Sequence, residues 1–427
     1  MKSLCVLGRQ PALGLAELES LYGASAVRPL GDCGLVDIDP CLLAFDRLGG
    51  SIKFCKVLAT LDASKWPDII KFLCQVAPPQ SEKMPAGKMH LGLSLHGFNI
   101  TSSKIMAGGL TIKKAIAKTG RSVRLVPNQE ASLSSAQVIH NKLTSENGWE
   151  LILVKDGRQT IVAQTIKVQD IAAYAARDRQ RPKRDAKIGM LPPKLAQIII
   201  NLAAGELPAE KLQSICEIPA GAEIPRPKFN QTILDPFCGT GVILQEARLM
   251  GYQIYGTDLE PRMIDYSRAN LDWLAQNYKL QTTNYKLEPA DASNHTWQKP
   301  INCVASETYL GRPFTSKPSS QLLEKTASEV NLILKKFLKN IHGQLNSGAR
   351  LCLAVPAWNL QPKLGQPNAP TATFQFPYSN FRHLPLIDQL ENLGYNQIRF
   401  KHVPGSQLIY FRPGQLVARE LLVLVRK

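Results

Sequence analysis

The stretch that decides the fold of the C-terminal half is Asp235-Pro236-Phe237-Cys238-Gly239-Thr240-Gly241. It follows a short apolar segment at 233–235 that is typical of a buried strand, and it precedes a helical pattern near 242–250. Glycines in such a turn let the backbone approach a ligand closely, and the start of the helix favours negative charge. The stretch therefore predicts a strand, a ligand-binding loop and a helix in succession.

Strands and helices alternate on the C-terminal side of this loop. Further strands are predicted at 254–258, 303–305 and 351–355, and further helices at 262–277, 321–341 and 384–393. Alternation of this kind builds a mostly parallel sheet, so the fold class is α/β. Residues 408–411 and 421–425 are predicted to pair as a terminal antiparallel hairpin around Pro413-Gly414.

Two further acidic residues follow predicted strands in this region. Asp258 lies 23 residues after Asp235, an offset at which a carboxylate can accept hydrogen bonds from ribose hydroxyls. Asp291 is placed to accept from an adenine amino group, and taken singly it also fits a surface turn. The third glycine of the dinucleotide fingerprint is missing, since Leu244 and Gln245 stand there. An adenosine cofactor without a pyrophosphate is thus favoured over NAD.

The N-terminal half reads as two small α/β units, at 1–76 and 89–170, joined by a polar linker at 77–88. In the second unit, Ser134 and Gln137 have the spacing of a helix capping box. A basic linker and a connecting helix at 171–205 follow, and the predicted α/β domain occupies 232–427.

The composition indicates a polyanionic partner. The formal net charge is +17, although a merely soluble basic protein would fit that value as well. No run of eighteen apolar residues and no secretory signal is present, so neither a membrane span nor a membrane partner is expected. The nine cysteines are scattered, which predicts no metal site, no disulfide framework and a cytoplasmic location.

Basic residues cluster in the second unit and in the linker. Lys114 and Lys118 are four residues apart and so share one face of a predicted helix. A solvated surface is the alternative to contact with phosphates. The predicted RNA-binding residues are Lys113, Lys114, Lys118, Arg121, Arg124, Arg181, Lys183 and Arg184.

At the glycine loop, and again at 189–196, the sequence resembles the THUMP-domain tRNA guanine-N2 methyltransferases. The order of the predicted units matches that family over nearly the whole chain. The resemblance implies a ferredoxin-like unit at 1–76, a THUMP-like RNA-binding domain at 89–170 and a Rossmann-like methyltransferase domain at 232–427. It also implies tRNA, or another structured RNA, as partner.

S-adenosyl-L-methionine is the cofactor that the resemblance implies. Asp235, Gly239 and Gly241 would line its methionine part, Asp258 would hold the ribose and Asp291 the adenine. The full set of predicted cofactor-binding residues is Asp235, Pro236, Phe237, Cys238, Gly239, Thr240, Gly241, Asp258, Leu259, Asp291 and Ala292.

The segment 306–314 stands where the family carries its catalytic motif, an acidic or amide residue, two prolines and an aromatic residue. Here Glu307 takes the acidic position, both prolines are absent, and Leu310 replaces the aromatic residue. Glu307 is predicted to accept a hydrogen bond from the target amine, and Tyr309 or Phe314 to stack on an extruded base. Ordinary packing is the alternative for both aromatic residues.

Methylation of the exocyclic N2 amine of a guanosine in tRNA is therefore the expected activity. Two alternatives stay open: a DNA amino-methyltransferase, and a cofactor- and RNA-binding module in which the altered motif has lost turnover. The sequence also leaves open which nucleotide is modified, whether one or two methyl groups are added, the oligomeric state, and a small partner subunit.

Overall fold

The computed structural model describes residues 2–185, 190–208, 229–280, 285–298, 300–314, 318–360 and 380–427. The chain separates into two compact units. The first unit comprises Met1–Leu18, Tyr22–Asp46 and Gly50–Asp170, and the second comprises Glu19–Leu21, Arg47–Gly49 and Ile171–Lys427.

The first unit is built on one eight-stranded sheet. Its strands are β1 (Ser3–Leu7), β2 (Val27–Leu30), β3 (Cys33–Val36), β4 (Ser51–Leu61), β5 (Met89–His96), β6 (Val123–Leu125), β7 (Gly148–Asp156) and β8 (Gln159–Val168). Its helices are α1 (Pro11–Tyr22), α2 (Trp66–Glu82), α3 (Ser102–Ala117) and α4 (Ser135–His140).

The strand order β2-β3-β1-β4-β8-β7-β5-β6 makes the two N-terminal segments share this sheet. The first segment supplies β1 to β4 and the second supplies β5 to β8. Antiparallel pairing of β4 with β8, from Lys53↔Val168 to Leu61↔Thr160, joins them. The structure therefore joins the two segments in one sheet by hydrogen bonds. Their division into separate units at 1–76 and 89–170 remains a proposal.

Helix α2 extends further than the sequence indicated. The polar linker was predicted to begin at residue 77, but the helix continues to Glu82 and contains Pro78 and Pro79. Four residues at helical spacing are buried on one of its faces: Ile69, Leu73, Ala77 and Ser81. Burial of this face outweighs the destabilising effect of the two prolines on the helix. Composition alone predicted a linker because it does not register that burial.

A polar cluster lies inside the first unit. Lys53 forms an ion pair with Glu150, and the two side chains are 2% and 0% exposed. Lys53 also donates to the carbonyl oxygen of Leu133 at 2.7 Å. The Glu150 carboxylate accepts from Ser94 at 2.6 Å and from Thr165 at 2.7 Å. Burial of this charged pair is thus accompanied by hydrogen bonds to each partner, as buried charges require.

The second unit is an α/β fold, as predicted. Its helices are α5 (Ile171–Arg179), α6 (Pro193–Ala204), α7 (Val242–Leu249), α8 (Pro261–Asn277) and α9 (Ser320–His342). Its strands are β9 (Thr232–Asp235), β10 (Gln253–Asp258), β11 (Lys286–Pro289), β12 (Cys303–Glu307), β13 (Arg350–Asn359), β14 (Phe381–Arg382), β15 (Tyr395–Gln397), β16 (Ile409–Tyr410) and β17 (Val417–Arg426).

The sheet of this unit runs β11-β10-β9-β12-β13-β17-β15, with β14 beside β13 and β16 beside β17. Strands β9 to β13 pair in parallel, and β17 runs antiparallel to β13. The predicted terminal hairpin is present, since Ile409 pairs with Glu420 across β16 and β17. Because the parallel strands share one direction, β9, β10 and β12 end at the same edge of the sheet.

Helix α9 covers one face of this sheet. Its buried residues include Val330, Leu334, Phe337 and Ile341, which belong to a core cluster with Leu351 of β13. The helix predicted at 384–393 is absent, and two short 3-10 turns, Pro385–Gln389 and Glu391–Leu393, take its place. The apolar pattern of this segment reflects burial in the same core cluster, which the irregular turns achieve without a continuous α-helix; the buried residues are Leu384, Leu386, Leu390 and Leu393. None of the helices in the described ranges is long and apolar enough to cross a membrane.

Candidate methyl-transfer site

The loop between β9 and α7 has the conformation that its glycines predict. Gly239 has φ +52° and Gly241, the N-cap of α7, has φ +78°. A Cβ atom on Gly241 would lie 2.8 Å from Oγ of Ser267, whereas a Cβ atom on Gly239 would meet nothing within 4 Å. Gly241 is thus required by packing, and Gly239 leaves open space beside the backbone.

Helix α8 and strand β10 hold this loop in place. Ser267 Oγ donates to the carbonyl oxygen of Gly239 at 2.8 Å, and Asn270 Nδ2 donates to that of Thr240 at 2.8 Å. The backbone N–H of Cys238 donates to the carbonyl oxygen of Thr257 at 2.9 Å. The loop is therefore fixed before any ligand arrives, which lowers the entropic cost of binding.

Asp258 ends β10 and turns its carboxylate toward the loop. Its Oδ2 accepts from the N–H of Gly239 at 2.8 Å, and its Oδ1 accepts from that of Glu260 at 3.0 Å. Burial raises the pKa of this carboxyl group, while the two backbone N–H groups oppose that rise. A carboxylate has about four lone-pair positions, so each oxygen can still accept from a ligand hydroxyl.

The predicted adenine side of the site is more open. Asp291 follows β11, is exposed, and its Oδ1 accepts from the N–H of Ser293 at 2.9 Å. Leu259 is 67% exposed, which is unusual for a leucine beside a buried strand, and Ala292 is buried. Asp291 thus occupies a turn while its carboxylate remains accessible, so both interpretations of this residue fit its position.

Asp235 lies deeper than its neighbours. It is 2% exposed, and its Oδ1 accepts from Ser306 Oγ at 2.6 Å and from the N–H of Phe237 at 3.3 Å. Burial, with smaller contributions from the charges of Asp258 and Glu307, raises the pKa of Asp235 to about 8, although the two hydrogen bonds oppose the rise. This carboxyl group therefore bridges β9 and β12 from the inside.

The other predicted cofactor residues divide by accessibility. Phe237 is partly buried and packs edge-on against Phe337, with ring centroids 5.2 Å apart. Burial raises the pKa of the Cys238 thiol well above its ordinary value. Accessible at least in part are Phe237, Gly239, Thr240, Asp258, Leu259 and Asp291, whereas Asp235, Pro236, Cys238, Gly241 and Ala292 are buried.

Glu307 is the last residue of β12, at the edge of the sheet where β9 and β10 also end. Its carboxylate forms an ion pair and hydrogen bond with Arg419 of β17. Burial raises the pKa of Glu307, and Arg419 lowers it. A largely buried carboxylate is thus held beside the loop by a cation that the sequence pattern did not reveal.

The residues after Glu307 form an irregular segment fixed by β13. Thr308 donates to the carbonyl oxygen of Ala354 through its N–H at 3.0 Å and through its hydroxyl at 3.2 Å. Tyr309 is 40% exposed and therefore available for stacking, whereas Phe314 is partly buried against the main core. Base stacking by Tyr309 or Phe314 therefore remains a prediction, with ordinary packing as the alternative.

The basic residues of the first unit are mostly at the surface. Lys114, Lys118 and Arg124 are exposed and Lys113 is partly exposed. Arg121 instead donates to the carbonyl oxygens of Ser81 at 2.5 Å and Pro85 at 2.6 Å, and to Asn147 Oδ1 at 2.6 Å. Its guanidinium group is engaged within the unit.

The basic segment before α6 divides in the same way. Arg181 is 3% exposed, and its contact with RNA remains a prediction. Its neighbour Arg177 is also buried and pairs with Glu246. Lys183 and Arg184 are exposed, as predicted. Composition could not separate these residues, because an arginine that pairs inside a domain reads the same as one at the surface.

Sequence reasoning missed several polar residues around the site. Ser267 and Asn270 stand on the face of α8 toward the loop, Ser306 precedes Glu307, and Arg419 comes from a strand more than a hundred residues later. Asn270 also exchanges hydrogen bonds with the backbone of Lys183. The local signal that could have identified Ser267 and Asn270 is their polarity, because they lie on the otherwise apolar buried face of α8.

Comparison with known proteins agrees with this geometry. Residues 223–359 match the UPF0020 family, described as an RMKL-like methyltransferase domain. This segment includes the glycine loop, Asp258 and Glu307. The C-terminal part of the chain is therefore similar to a methyltransferase domain of this kind.

Particular relatives narrow the comparison. The chain is 29% identical over 168 residues to the tRNA (guanine(10)-N2)-dimethyltransferase of Methanothermobacter thermautotrophicus, covering 39% of each chain. It is 26% identical over 244 residues to the enzyme of the same name from Methanocaldococcus jannaschii, covering 56% of this chain and 57% of that one. The matches thus span well under two thirds of these relatives. Among solved structures, TrmN from Thermus thermophilus aligns over 100% of both chains, with a TM-score of 0.48 and 17% identity.

Proposed function

We propose that the chain is an S-adenosylmethionine-dependent methyltransferase that acts on the exocyclic N2 amine of a guanosine in tRNA. The observation that carries the proposal is the meeting, at one sheet edge, of an open glycine loop, Asp258 and the carboxylate of Glu307. The match to a methyltransferase domain and the similarity to proteins named as tRNA guanine-N2 dimethyltransferases support the same activity.

The residues around the loop fit an adenosine-bearing cofactor. Asp258 keeps lone pairs for ribose hydroxyls, Asp291 presents an accessible carboxylate, and the exposed Leu259 offers an apolar surface for a base. The open space at Gly239 allows close approach to the backbone. When bound, S-adenosylmethionine supplies an electrophilic methyl group.

Glu307 would act on the nucleophile. The amine of guanine is weakly nucleophilic because its lone pair is delocalised into the ring. Hydrogen bonds from the amine to Glu307 and to backbone carbonyls after β12 would orient it and favour the developing positive charge. Tyr309, whose ring is accessible, would stack on the base.

Recognition of tRNA is assigned to exposed basic residues. In the first unit these are Lys113, Lys114, Lys118 and Arg124, and in the second Lys183 and Arg184. Neutralisation of phosphates by lysine and arginine supplies affinity that depends strongly on salt. The net charge of +17 supports this assignment.

The decisive experiment uses the full chain with methyl-labelled S-adenosylmethionine and unmodified bulk tRNA. After digestion to nucleosides, we expect label in N2-methylguanosine or N2,N2-dimethylguanosine. Duplex DNA of matched length is the parallel substrate. Label in DNA bases would favour the DNA amino-methyltransferase, and binding of tRNA and cofactor without label would favour the inactive binding module.

A further inference from the structure

The side chains of Glu307 and Arg419 make contact across the sheet of the second unit. The two residues belong to strands that are not neighbours, since β13 lies between β12 and β17. In the register, Glu307 stands opposite Ala354, and Arg419 stands opposite Pro356. Residues 354 and 356 point to the same face of β13, so the ion pair passes over that strand.

Small side chains make this crossing feasible. Two strand spacings separate β12 from β17, roughly 10 Å, which the extended side chains of glutamate and arginine can bridge together. The residues of β13 that stand opposite the two partners are Ala354 and Pro356, and neither carries a long side chain. The geometry thus reserves space across β13 for one specific contact.

Burial favours the neutral form of Glu307, and the contact with Arg419 opposes that effect. The Glu307 side chain is 17% exposed and that of Arg419 is 8% exposed. Strand β9 contributes Asp235, whose pKa of about 8 leaves it mostly protonated at neutral pH, and β13 contributes the uncharged Ala354. Within the described part of the chain, Arg419 is the sole hydrogen-bond partner of the Glu307 carboxylate. One carboxylate oxygen is engaged and the other is available.

We propose that Arg419 is a positioning residue that binds Oε1 of Glu307 and keeps the carboxylate ionised. Oε2 of Glu307 is then available to accept a hydrogen bond from the target amine. The proposal rests on the proposed function for the identity of that amine. The effect of Arg419 on Glu307 itself does not depend on it.

The kinetic test compares R419M with R419K. R419M removes the cation and keeps the length of the side chain, whereas R419K keeps a charge without the guanidinium geometry. We expect R419M to lower the single-turnover rate at neutral pH on the order of tenfold to a hundredfold. The acid limb of its pH profile should move to higher pH, because Glu307 is then protonated more readily. The single-turnover rate and the acid limb of R419K should lie between those of R419M and the parent.

The matched control is R412M, which removes an exposed arginine from the same terminal hairpin. Its rate and pH profile should equal those of the parent, and the affinity for S-adenosylhomocysteine should be unchanged in all variants. A uniform loss of rate at every pH in R419M, with no shift of the acid limb, would reduce Arg419 to a structural role and overturn the proposal.

A second measurement needs no methyl transfer. Carbon-13 labelling of glutamate carboxyl groups, with E307Q to assign the signal, reports the titration midpoint of Glu307 by NMR. We expect a higher midpoint in R419M than in the parent and R412M. An unchanged midpoint would overturn the proposal even if tRNA is methylated. A shifted midpoint in a protein that does not methylate tRNA would support the role of Arg419 and reject the proposed function.

Discussion

Single residues at the edge of the sheet carry two duties at once. Asp258 anchors the loop through Gly239 and is also the predicted ribose acceptor. Glu307 completes an ion pair with Arg419 and is also the predicted acceptor for the amine. Substitutions at these positions must therefore be chosen so that the loss of a structural bond is separated from the loss of a ligand contact.

For Asp258, the informative change is D258A. We expect the affinity for S-adenosylmethionine to fall by about 1.5–3 kcal/mol, the range for hydrogen bonds that involve a charged group. Isothermal titration calorimetry measures this directly. D265A is the matched control, because Asp265 is a largely exposed acid on α8 with a 73% exposed side chain. An unchanged affinity in D258A would remove Asp258 from the cofactor site.

For Glu307, E307Q keeps the shape of the side chain and an acceptor for Arg419 but removes the charge. Turnover should fall on the order of a hundredfold, as expected when one preorganised electrostatic group is lost. Single-turnover methyl transfer at saturating tRNA is the measurement, and the affinities for cofactor and tRNA should change little. A rate within a few-fold of the parent would assign the amine contact to backbone carbonyls of Thr308 and Tyr309 instead.

Secondary-structure elements determine which basic residues are available at the surface. Helix α3, its C-cap and the strand after it present Lys114, Lys118 and Arg124 to solvent. Arg121 instead donates to carbonyl oxygens in the last turn of α2 and in the segment after it. The cluster that looked uniform in the sequence is thus divided between a surface role and a structural one.

The double variant K114A/K118A tests the surface role of α3. If both lysines contact phosphates, the slope of log affinity for tRNA against log salt should fall by about 0.7–0.9 per lysine. Filter binding from low to moderate salt measures the slope. The control K325A/K336A removes two exposed lysines from α9 and should leave it unchanged. Equal slopes in both double variants would mean that α3 presents only a solvated face.

Elements that depend on local signals could be predicted from the sequence, and those that depend on distant packing could not. The capping box of Ser134 and Gln137 is present because both of its partners lie within one turn. The glycine loop formed as expected for the same reason. Helix α2 was misjudged at Pro78 because its buried face, not its composition, decides its length. Arg419 was missed because only the register of β13 brings it to Glu307.

At the scale of the whole molecule, each unit depends on contacts between segments far apart in the chain. The ion pair of Lys53 and Glu150 links β4 to β7 inside the first unit, with Ser94 of β5 and Thr165 of β8 bonded to the same carboxylate. A charged centre shared by four strands specifies how those strands are arranged, since any other register would leave a charge unpaired.

Removal of one partner from this pair should be costly. K53M leaves the Glu150 carboxylate buried without its cation, and we expect the free energy of unfolding to fall by about 3–5 kcal/mol. Urea denaturation followed by circular dichroism gives the value. The double variant K53M/E150L removes both charges and should recover part of the loss. A loss below about 1 kcal/mol in K53M would mean that water or local rearrangement compensates the charge.

The strand pairings also determine the order in which the molecule can be completed during synthesis. Strand β4 can pair with β8 only after about a hundred further residues have been synthesised, so the first sheet is completed late. Arg419 reaches Glu307 only after β17 has been added beside β13. Non-local pairing of this kind slows folding, because the intervening chain must be closed into a loop first. A nascent chain would thus form its glycine loop well before Glu307 acquires its partner, because the Glu307–Arg419 pair requires residues more than a hundred positions later in the chain.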